Sequence, residues 1–584
     1  MKIKRFLCYL FSLSLTIVST LFCFSLPTSA NEISIEEEEQ KVYSQATIED
    51  DFSDSRIMVV LKHDISMELK EYSTEDFSEV GIKSVTDLAS ATREKATVQL
   101  EKINNAFFKR SSLENEEIIS YKNYNQVICL ELENTGKDKV LEAIDIIKDR
   151  EDVLYVGPDY PIYIHSLDEY GRSVDNDYQY YAGIRTQYAD IIQLPEAWSV
   201  STGSSSIKVG VIDTGIDGTH PELEDRIDVY MSRDLTNRTY ETVDEVTDYW
   251  GHGTHVAGII GASGANGESV FGVCWDVTLV SLRVFDESGC GYSYNLGLAI
   301  NYAESRDIPI LNFSGAWTTL NPINFENYFD SNTALRNMIE NYSGLFVCSA
   351  GNESESNDEF EVYPSNWSLP NLISVGASDL EDTRASFSNY SSTKVDVFAP
   401  GDSILSSYPT QQCLEGINRL RGSIHVDNGY HVDDGTSMAA PFVTGVAALM
   451  LSNNPNLKAH EIKCLIMRNV DDCGDEFDDD CLSGGRLNAY KALTGAVNHA
   501  YTHVNDADGE RIVCDYCKHS CDAPVYRNIN VARGHTVSCL ECDYSYTESH
   551  TWFSYQINYK CVYCNAITTT APGIMSLRKD EQSK

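Results

Sequence analysis

Between residues 195 and 495 the sequence alternates short apolar runs with longer segments of helical periodicity. Apolar runs of strand length that alternate with helices are typical of strands buried on both faces. The pattern therefore predicts an α/β fold, a parallel sheet flanked by helices, with functional residues at the carboxyl ends of the strands. The runs behind this prediction are 207–212, 277–283, 308–313, 345–349 and 372–375.

The first 30 residues have the features of a secretory signal peptide. Lys2, Lys4 and Arg5 precede an apolar run over 6–26, and Pro27 to Ala30 provide a small-residue cleavage site. We therefore expect a secreted protein, extracellular or at the cell surface. The alternative is a retained membrane anchor, because the run is nearly long enough to span a bilayer, and a membrane is expected as a partner only in that case.

Charge narrows the range of partners. The chain has 88 Asp and Glu against 44 Lys and Arg, a formal net charge of −44. Such a chain repels phosphate backbones and anionic lipid headgroups, so we expect no nucleic-acid partner. Cations are the expected small partners.

The sequence predicts an acidic linker over residues 31–54 and a small α+β domain over residues 55–166. The apolar run 56–62 predicts a strand, and Val140, Ile144 and Ile147 repeat on one face of a predicted helix. A polar stretch follows near residue 166, before the α/β region begins.

Three segments of the α/β region carry residues able to perform catalysis. Asp213 follows a predicted strand, His252 lies between two glycines at the start of a helical segment, and Ser437 opens an apolar helix in DGTSMAAP. Each has an ordinary structural interpretation by itself, as a turn, a buried histidine or a helix cap. Together they supply a nucleophile, a base to take its proton and an acid to orient that base.

These three segments, in the order Asp, His, Ser, resemble the subtilisin-like serine proteases over residues 178–497. The resemblance implies a serine endopeptidase that acts on peptide or protein substrates through an acyl-enzyme intermediate. It assigns Asp213 as the orienting acid, His252 as the general base and Ser437 as the nucleophile. Asn352, after the predicted strand 345–349, would be the side-chain donor to the oxyanion.

The same resemblance implies the substrate contacts. Ser314 and Gly315 would belong to the strand that pairs with an extended peptide, although Ala316 and Trp317 replace the usual glycine pair. Ala350 and Gly351 would line the pocket beside Asn352. Glu353 would sit at the rim of the first specificity pocket, or else be a solvated surface acid.

The α+β domain resembles the inhibitory propeptide of this family, notably in VLYVGPDYPIYIH. The resemblance implies that this domain is an intramolecular inhibitor of a zymogen. We expect self-cleavage between His165 and Tyr180, in the polar stretch that follows the domain.

A calcium site is a further expectation from the resemblance. The loop GASGANGESV is similar to the family's calcium loop, with Asn266 as an oxygen ligand; Glu222 lies at another ligand position of the family, and Asp177 or Gln179 would complete the site. The alternative is an ordinary turn rich in Gly and Asn.

Residues 498–584 form a Cys-rich module that is expected to be non-catalytic. Its C-x-x-C pairs start 25 and then 22 residues apart, a spacing suited to zinc and also compatible with disulfides in a secreted chain. The six residues of these pairs are Cys514, Cys517, Cys539, Cys542, Cys561 and Cys564.

Two other functions remain open from the sequence. One is a catalytically silent protein that keeps the subtilase fold for binding, and the other is a metal-binding surface protein built around the Cys-rich module. Loss of activity on deletion of 498–584 would favour the second, whereas a protease should keep hydrolysing peptides.

Overall fold

The computed structural model of the chain describes residues 42–43, 46–62, 71–95, 125–164, 178–236, 241–242, 247–264, 270–318, 333–410, 429–474 and 477–496. Beyond residue 500 it describes the backbone of short strands between 501 and 568.

The helices in these ranges are α1 (Lys137–Ile147), α2 (Tyr178–Ile191), α3 (Leu194–Trp198), α4 (His252–Gly261), α5 (Ser293–Ser305), α6 (Thr333–Asn341), α7 (Thr436–Asn453), α8 (Ala459–Arg468) and α9 (Ala489–Thr494). The strands before residue 500 are β1 (Val42–Tyr43), β2 (Arg56–Leu61), β3 (Ile82–Asp87), β4 (Gln126–Leu132), β5 (Val153–Pro158), β6 (Pro161–Ile164), β7 (Lys208–Asp213), β8 (Arg233–Asp234), β9 (Glu241–Thr242), β10 (Thr278–Arg283), β11 (Cys290–Tyr292), β12 (Ile310–Phe313), β13 (Gly315–Thr318), β14 (Leu345–Ser349), β15 (Val362–Tyr363), β16 (Leu372–Ser378), β17 (Val397–Pro400), β18 (Ile404–Ser407) and β19 (Tyr430–Asp433).

The central sheet has the strand order β17-β16-β14-β12-β7-β10-β8-β9, and every neighbouring pair is parallel except β8 with β9. The predicted parallel sheet is therefore confirmed. Strand β7 lies between β10 and β12. The strands up to β10 lie on one side of β7 and those from β12 onward on the other, so the strand order reverses at β7. Such switch points leave a crevice at the carboxyl ends of the strands, and Asp213 ends β7 there.

Both faces of the sheet are covered, which explains the continuous apolar runs of its strands. In β14, Val347 packs into one core with residues of α4 and α7, while Phe346 and Cys348 pack into a second core with residues of α5 and α6. Helix α7 is buried from Thr436 to Leu451, as expected of a helix that is apolar on all sides. The predicted flanking helices are thus confirmed.

The N-terminal domain is a five-stranded sheet with the order β1-β5-β2-β4-β3, packed on α1. Its neighbours pair antiparallel except β1 with β5. Val140, Ile144 and Ile147 are buried in its core, as their spacing predicted. The domain also takes in part of the predicted linker 31–54, because Val42 pairs with Tyr155 and the Phe52 side chain is buried in the same core.

The Cys-rich module contains three antiparallel sheets of three short strands each within its described backbone. The strands of the three sheets lie between residues 501 and 521, 525 and 548, and 552 and 568. Among the described residues of the chain, no helix has the length and apolarity needed to cross a membrane.

Candidate active site

Asp213 and His252 are joined by a buried hydrogen bond at the carboxyl edge of the central sheet. The His252 Nδ1 atom lies 2.8 Å from Asp213 Oδ1 and 3.0 Å from Oδ2, and Asp213 Oδ1 also accepts the backbone N–H of Thr214. Burial lowers the pKa of His252, but neighbouring carboxylates, Asp213 foremost, raise it by more, so it lies above the usual histidine value. The pair can therefore hold an imidazolium as it forms.

Glycines on either side of His252 allow α4 to begin close to the end of β7. Gly251 has a φ of +108°, in the left-handed region, and a Cβ on Gly253 would lie 2.1 Å from the carbonyl oxygen of Gly215. Both positions therefore require glycine.

Asp248 organises this helix start, and sequence reasoning missed it. Its buried carboxylate accepts the backbone N–H groups of Trp250, Gly251 and Thr254 and the hydroxyls of Thr254 and Thr214. Burial raises the pKa of Asp248, and these hydrogen bonds oppose that rise. The only sequence signal was an Asp shortly before a predicted helix, which is typical of a cap.

Ser437 is the second residue of α7, and α7 packs against α4, the helix that begins at His252. The Ser437 hydroxyl donates to the carbonyl oxygen of Ser314 at 3.3 Å, and the Ser314 hydroxyl donates to the Ser437 carbonyl oxygen at 2.9 Å. His252 Nε2 has no hydrogen-bond partner in the described part of the chain. Among the described hydrogen bonds, the Ser437 hydroxyl is therefore bonded to Ser314 and not to His252.

Asn352 lies opposite the start of α7. Its side-chain Oδ1 accepts the backbone N–H of Thr436 at 2.9 Å and the Thr436 hydroxyl at 2.8 Å. These two bonds fix the amide so that Nδ2 points away from Thr436. Thr436 is a second residue that sequence reasoning missed, because it is 84 residues from Asn352 in the chain.

The predicted pocket residues surround Asn352. Ala350 is buried and donates its N–H to the Val375 carbonyl oxygen, and the Gly351 N–H reaches the Thr436 hydroxyl at 3.2 Å. The Glu353 carboxylate is partly exposed, and its Oε2 accepts the Asn352 N–H of its own loop and the Asn389 side-chain amide of a neighbouring segment. Its place at the rim of the specificity pocket stays a prediction.

The predicted substrate strand is paired, and its partner comes from the N-terminal domain. Strand β6 lies between β11 and β13, with Ile164 opposite Gly315 and Tyr163 opposite Ala316. The Ile164 N–H also donates to the carbonyl oxygen of Gly289 at 3.2 Å. Ser437 and His252 are 0% and 1% exposed, so the site is closed to solvent in this form of the chain.

Trp317 lies in the predicted substrate strand, β13, where the sequence departs from the expected glycine pair. Its ring stacks on Tyr363 at 6.2 Å between centroids and contacts Trp367 edge-on at 5.6 Å. The departure thus adds an aromatic cluster beside the substrate strand.

A sequence profile described as the subtilase family matches residues 204–503. That range contains Asp213, His252, Asn352 and Ser437. The chain belongs to the subtilase family. It is a subtilisin-like serine protease, and as such it acts on peptide or protein substrates.

Characterised subtilases agree with this assignment. The chain is 33% identical over 327 residues to the thermophilic serine proteinase of Bacillus sp. (strain AK1), a match that covers 54% of this chain and 67% of the relative. It is 32% identical over 372 residues to subtilisin E of Bacillus subtilis (strain 168), covering 63% and 82%. The crystal structure of fervidolysin from Fervidobacterium pennivorans, a keratinolytic enzyme related to subtilisin, has the same fold, with a TM-score of 0.55, 21% identity and coverage of 81% of this chain and 67% of that one.

The predicted calcium ligands of this subtilase are described only in part. The Glu222 carboxylate is buried, and its Oε1 accepts the Tyr430 hydroxyl at 3.1 Å. Asn266 and Asp177 lie outside the described residues. The described residues contain no group of three His, Cys, Asp or Glu side chains arranged to hold a metal. Glu222 alone supplies an oxygen of the right kind, and the calcium site stays a prediction.

The zinc prediction likewise stays open. Cys514 and Cys561 are described only as backbone at the ends of strands, and Cys517, Cys539, Cys542 and Cys564 lie outside the described residues.

Proposed function

We propose that the chain is a secreted serine endopeptidase, made as a zymogen, that hydrolyses peptide bonds through an acyl-enzyme intermediate. The observation that carries this proposal is the 2.8 Å bond between His252 and Asp213, together with Ser437 in the first turn of α7, the helix that packs against the helix of His252. A neutral imidazole held in this way has Nδ1–H bonded to Asp213 and leaves Nε2 as the base.

In the first half of the reaction, Ser437 Oγ attacks the carbonyl carbon of the peptide bond while His252 Nε2 takes the hydroxyl proton. Asp213 remains a carboxylate and stabilises the imidazolium. His252 then gives the proton to the departing amine, and an ester to Ser437 remains. Water attacks that ester in the second half, again with His252 as the base.

The negative oxygen of each tetrahedral intermediate needs fixed donors. Asn352 Nδ2 and the backbone N–H of Ser437 are the donors we assign, and the positive end of α7 adds to their effect. In subtilisin, loss of the asparagine donor costs about 100-fold to 1,000-fold in turnover, so we expect Asn352→Ala to lose activity on that scale.

The N-terminal domain is assigned as the inhibitor because its strand β6 pairs with β13, the strand predicted to pair with a peptide substrate. The register places Ile164 opposite Gly315 and Tyr163 opposite Ala316. The carbonyl oxygen of Ser314, the residue before Gly315, accepts the Ser437 hydroxyl, so the described end of β6 is paired beside the proposed nucleophile. We therefore assign self-cleavage to the polar stretch between His165 and Tyr180 that follows β6.

N-terminal sequencing of the purified chain tests this assignment. Wild type should give a fragment whose first residue lies between Ser166 and Tyr180, and Ser437→Ala should stay uncut under the same conditions. A Ser437→Ala chain that still loses its N-terminal domain when purified alone would refute self-cleavage.

Secretion is assigned from the signal-like segment 1–30. Expression of the full-length Ser437→Ala chain with and without residues 2–30 tests it. The full chain should be exported and start near residue 31, whereas a product that keeps residues 1–30 in the membrane fraction would favour the anchor instead.

Two metals are assigned from the sequence. Calcium, held in part by Glu222, should raise the melting temperature of the Ser437→Ala protein, and Glu222→Gln should remove that increase.

Zinc in the Cys-rich module should appear in metal analysis of the whole protein. Its disappearance on Cys514→Ser would support zinc, and a protein without zinc that gains free thiols only with reductant would support disulfides.

A further inference from the structure

Asn389 holds the loop that carries Asn352. The segment 387–390 runs beside residues 351–357, and it follows β16, the strand next to β14 in the sheet. The Asn389 backbone N–H donates to the Gly351 carbonyl oxygen at 3.0 Å. Its side-chain Oδ1 accepts the backbone N–H groups of Glu353 at 2.9 Å and of Glu355 at 3.1 Å. One buried amide oxygen therefore accepts two backbone donors of the loop, from residues two positions apart.

The other half of the same amide holds the Glu353 side chain. Asn389 Nδ2 donates to Glu353 Oε2 at 2.8 Å and to Asn357 Oδ1 at 3.0 Å. Glu353 Oε2 also accepts the backbone N–H of Asn352 at 3.0 Å. A carboxylate is thus kept in one position directly beside the backbone of the assigned oxyanion donor.

Asn352 therefore depends on supports from two directions. Thr436 fixes the orientation of its side-chain amide through Oδ1, and Asn389 fixes its backbone through the loop around it. Asn389 is 0% exposed and uses both its acceptor and its donor atoms, so a substitution there leaves several buried groups without partners.

We propose that Asn389 is a positioning residue of the protease, which sets Asn352 at the distance that the tetrahedral oxyanion requires. This inference rests on the oxyanion role assigned to Asn352 under the proposed function. Asn389 does not touch substrate; it acts through the loop 351–355.

A positioning role predicts a loss confined to the transition state. Asn389 has no described hydrogen bond to the predicted substrate strand Gly315–Thr318 or to the pair of His252 and Asp213, so strand pairing with an extended peptide should survive its replacement. The assay uses a peptide with a small side chain before the cut bond, which makes little use of the pocket predicted at Gly351 and Glu353. The oxyanion forms only during the reaction, so a displaced Asn352 amide weakens stabilisation of that state alone. A misplacement of about 1 Å in a catalytic group costs about 100-fold in rate.

The test compares Asn389→Ala with Asn371→Ala in the processed enzyme. Asn371 is also a buried asparagine, whose Nδ2 donates to the carbonyl oxygens of Ile339 and Tyr342, away from the site. Both variants should be less stable, so melting temperatures are measured and assays are run well below them. Only Asn389→Ala should lower kcat, by about 10-fold to 100-fold, with KM within about threefold of wild type.

Two further readouts separate positioning from general damage. A peptide boronate, which forms a tetrahedral adduct with the Ser437 oxygen, should bind Asn389→Ala more weakly by the same factor as the loss in kcat, while a product peptide binds as before. In an Asn352→Ala background, Asn389→Ala should cause little further loss, because the group it positions is gone. If Asn389→Ala does not fold, Asn389→Ser keeps an acceptor for the loop and should show a smaller loss in the same readouts.

Equal kcat in Asn389→Ala and Asn371→Ala would overturn the inference, as would the same loss from Asn389→Ala in both backgrounds. The Asn352→Ala variant separates this failure from that of the proposed function. If Asn352→Ala loses turnover and Asn389→Ala does not, only the role of Asn389 is wrong. If Asn352→Ala itself keeps its turnover, the oxyanion assignment is wrong and the role of Asn389 falls with it.

Discussion

The carboxylate of Asp159 connects the N-terminal domain to the catalytic domain by accepting the backbone N–H of Tyr294 through Oδ1 at 2.9 Å. Its other oxygen is paired with the guanidinium of Arg56, which also lies over the rings of Tyr292 and Tyr294. Tyr294 is in the first turn of α5, where unpaired N–H groups and the helix dipole favour a negative charge. The N-terminal domain therefore supplies a negative charge to the start of a helix of the catalytic domain.

Replacing this charge should weaken the inhibitory contact. A hydrogen bond to a charged group contributes about 1.5–3 kcal/mol, so Asp159→Asn should raise the inhibition constant of the N-terminal domain about tenfold or more. The constant is measured by adding the domain, residues 42–165, to processed enzyme. Asp145→Asn, which removes only an exposed pair with Lys148, is the control and should change little. Equal inhibition by the Asp159→Asn and wild-type domains would contradict this role.

The pH dependence of kcat/KM should report the carboxylates around His252. The base must be neutral, so activity is lost as pH falls through its pKa, and the raised pKa places that loss above pH 6.5. Burial opposes the rise, while Asp213 and then Asp433 contribute to it. Asp433→Asn should therefore move the acidic limb of the profile to lower pH, with the alkaline limb unchanged. An acidic limb that stays in place would show that Asp433 does not act on His252.

Gly315 should be required for pairing with an extended substrate. A Cβ at this position would lie 2.7 Å from the Phe285 ring and 2.9 Å from the Tyr163 carbonyl oxygen of the paired strand. Gly315→Ala should therefore lower kcat/KM for peptides by about tenfold or more, mainly through KM. Gly183→Ala, where a Cβ meets nothing within 4 Å, is the matched control. Similar kinetics for the two variants would contradict strand pairing at Gly315.

Lys463 should matter for stability and not for catalysis. Its ammonium group is buried, donating to Asp396 Oδ2 at 2.9 Å and to the Leu372 carbonyl oxygen at 2.6 Å. Lys463→Met leaves Asp396 buried without its cation, which should cost about 3–5 kcal/mol of the free energy of unfolding. Urea unfolding in the Ser437→Ala background, which prevents self-digestion, measures this cost. Lys491→Met removes a half-exposed pair with Asp471 and should cost less than about 1 kcal/mol, so equal losses would refute the account.

The sheet, and the segments that carry the three proposed catalytic residues, could be predicted because their signals are local. A strand buried on both faces is a continuous apolar run, and Asp213, His252 and Ser437 each lie in a short segment with its own pattern of glycines and helix starts. The predicted α+β fold of the N-terminal domain followed from periodicity in the same way.

The supporting residues could not be predicted, because each of them acts across the sheet edge. Thr436 reaches Asn352 over 84 residues, Asn389 reaches Glu353 over 36, and Asp248 reaches Thr214 over 34. In the sequence these residues have only the ordinary composition of turns and caps. The direction of the Glu353 carboxylate was equally hidden, since it depends on Asn389.

A fluorophosphonate labels an activated serine hydroxyl. Labelling of the processed enzyme, with the adduct located by peptide mass mapping, is the most direct test of whether Ser437 is the nucleophile that His252 activates. The account predicts one adduct, on Ser437, and its loss in His252→Ala. An adduct on a different serine, or labelling of Ser437 that proceeds equally well in His252→Ala, would contradict it.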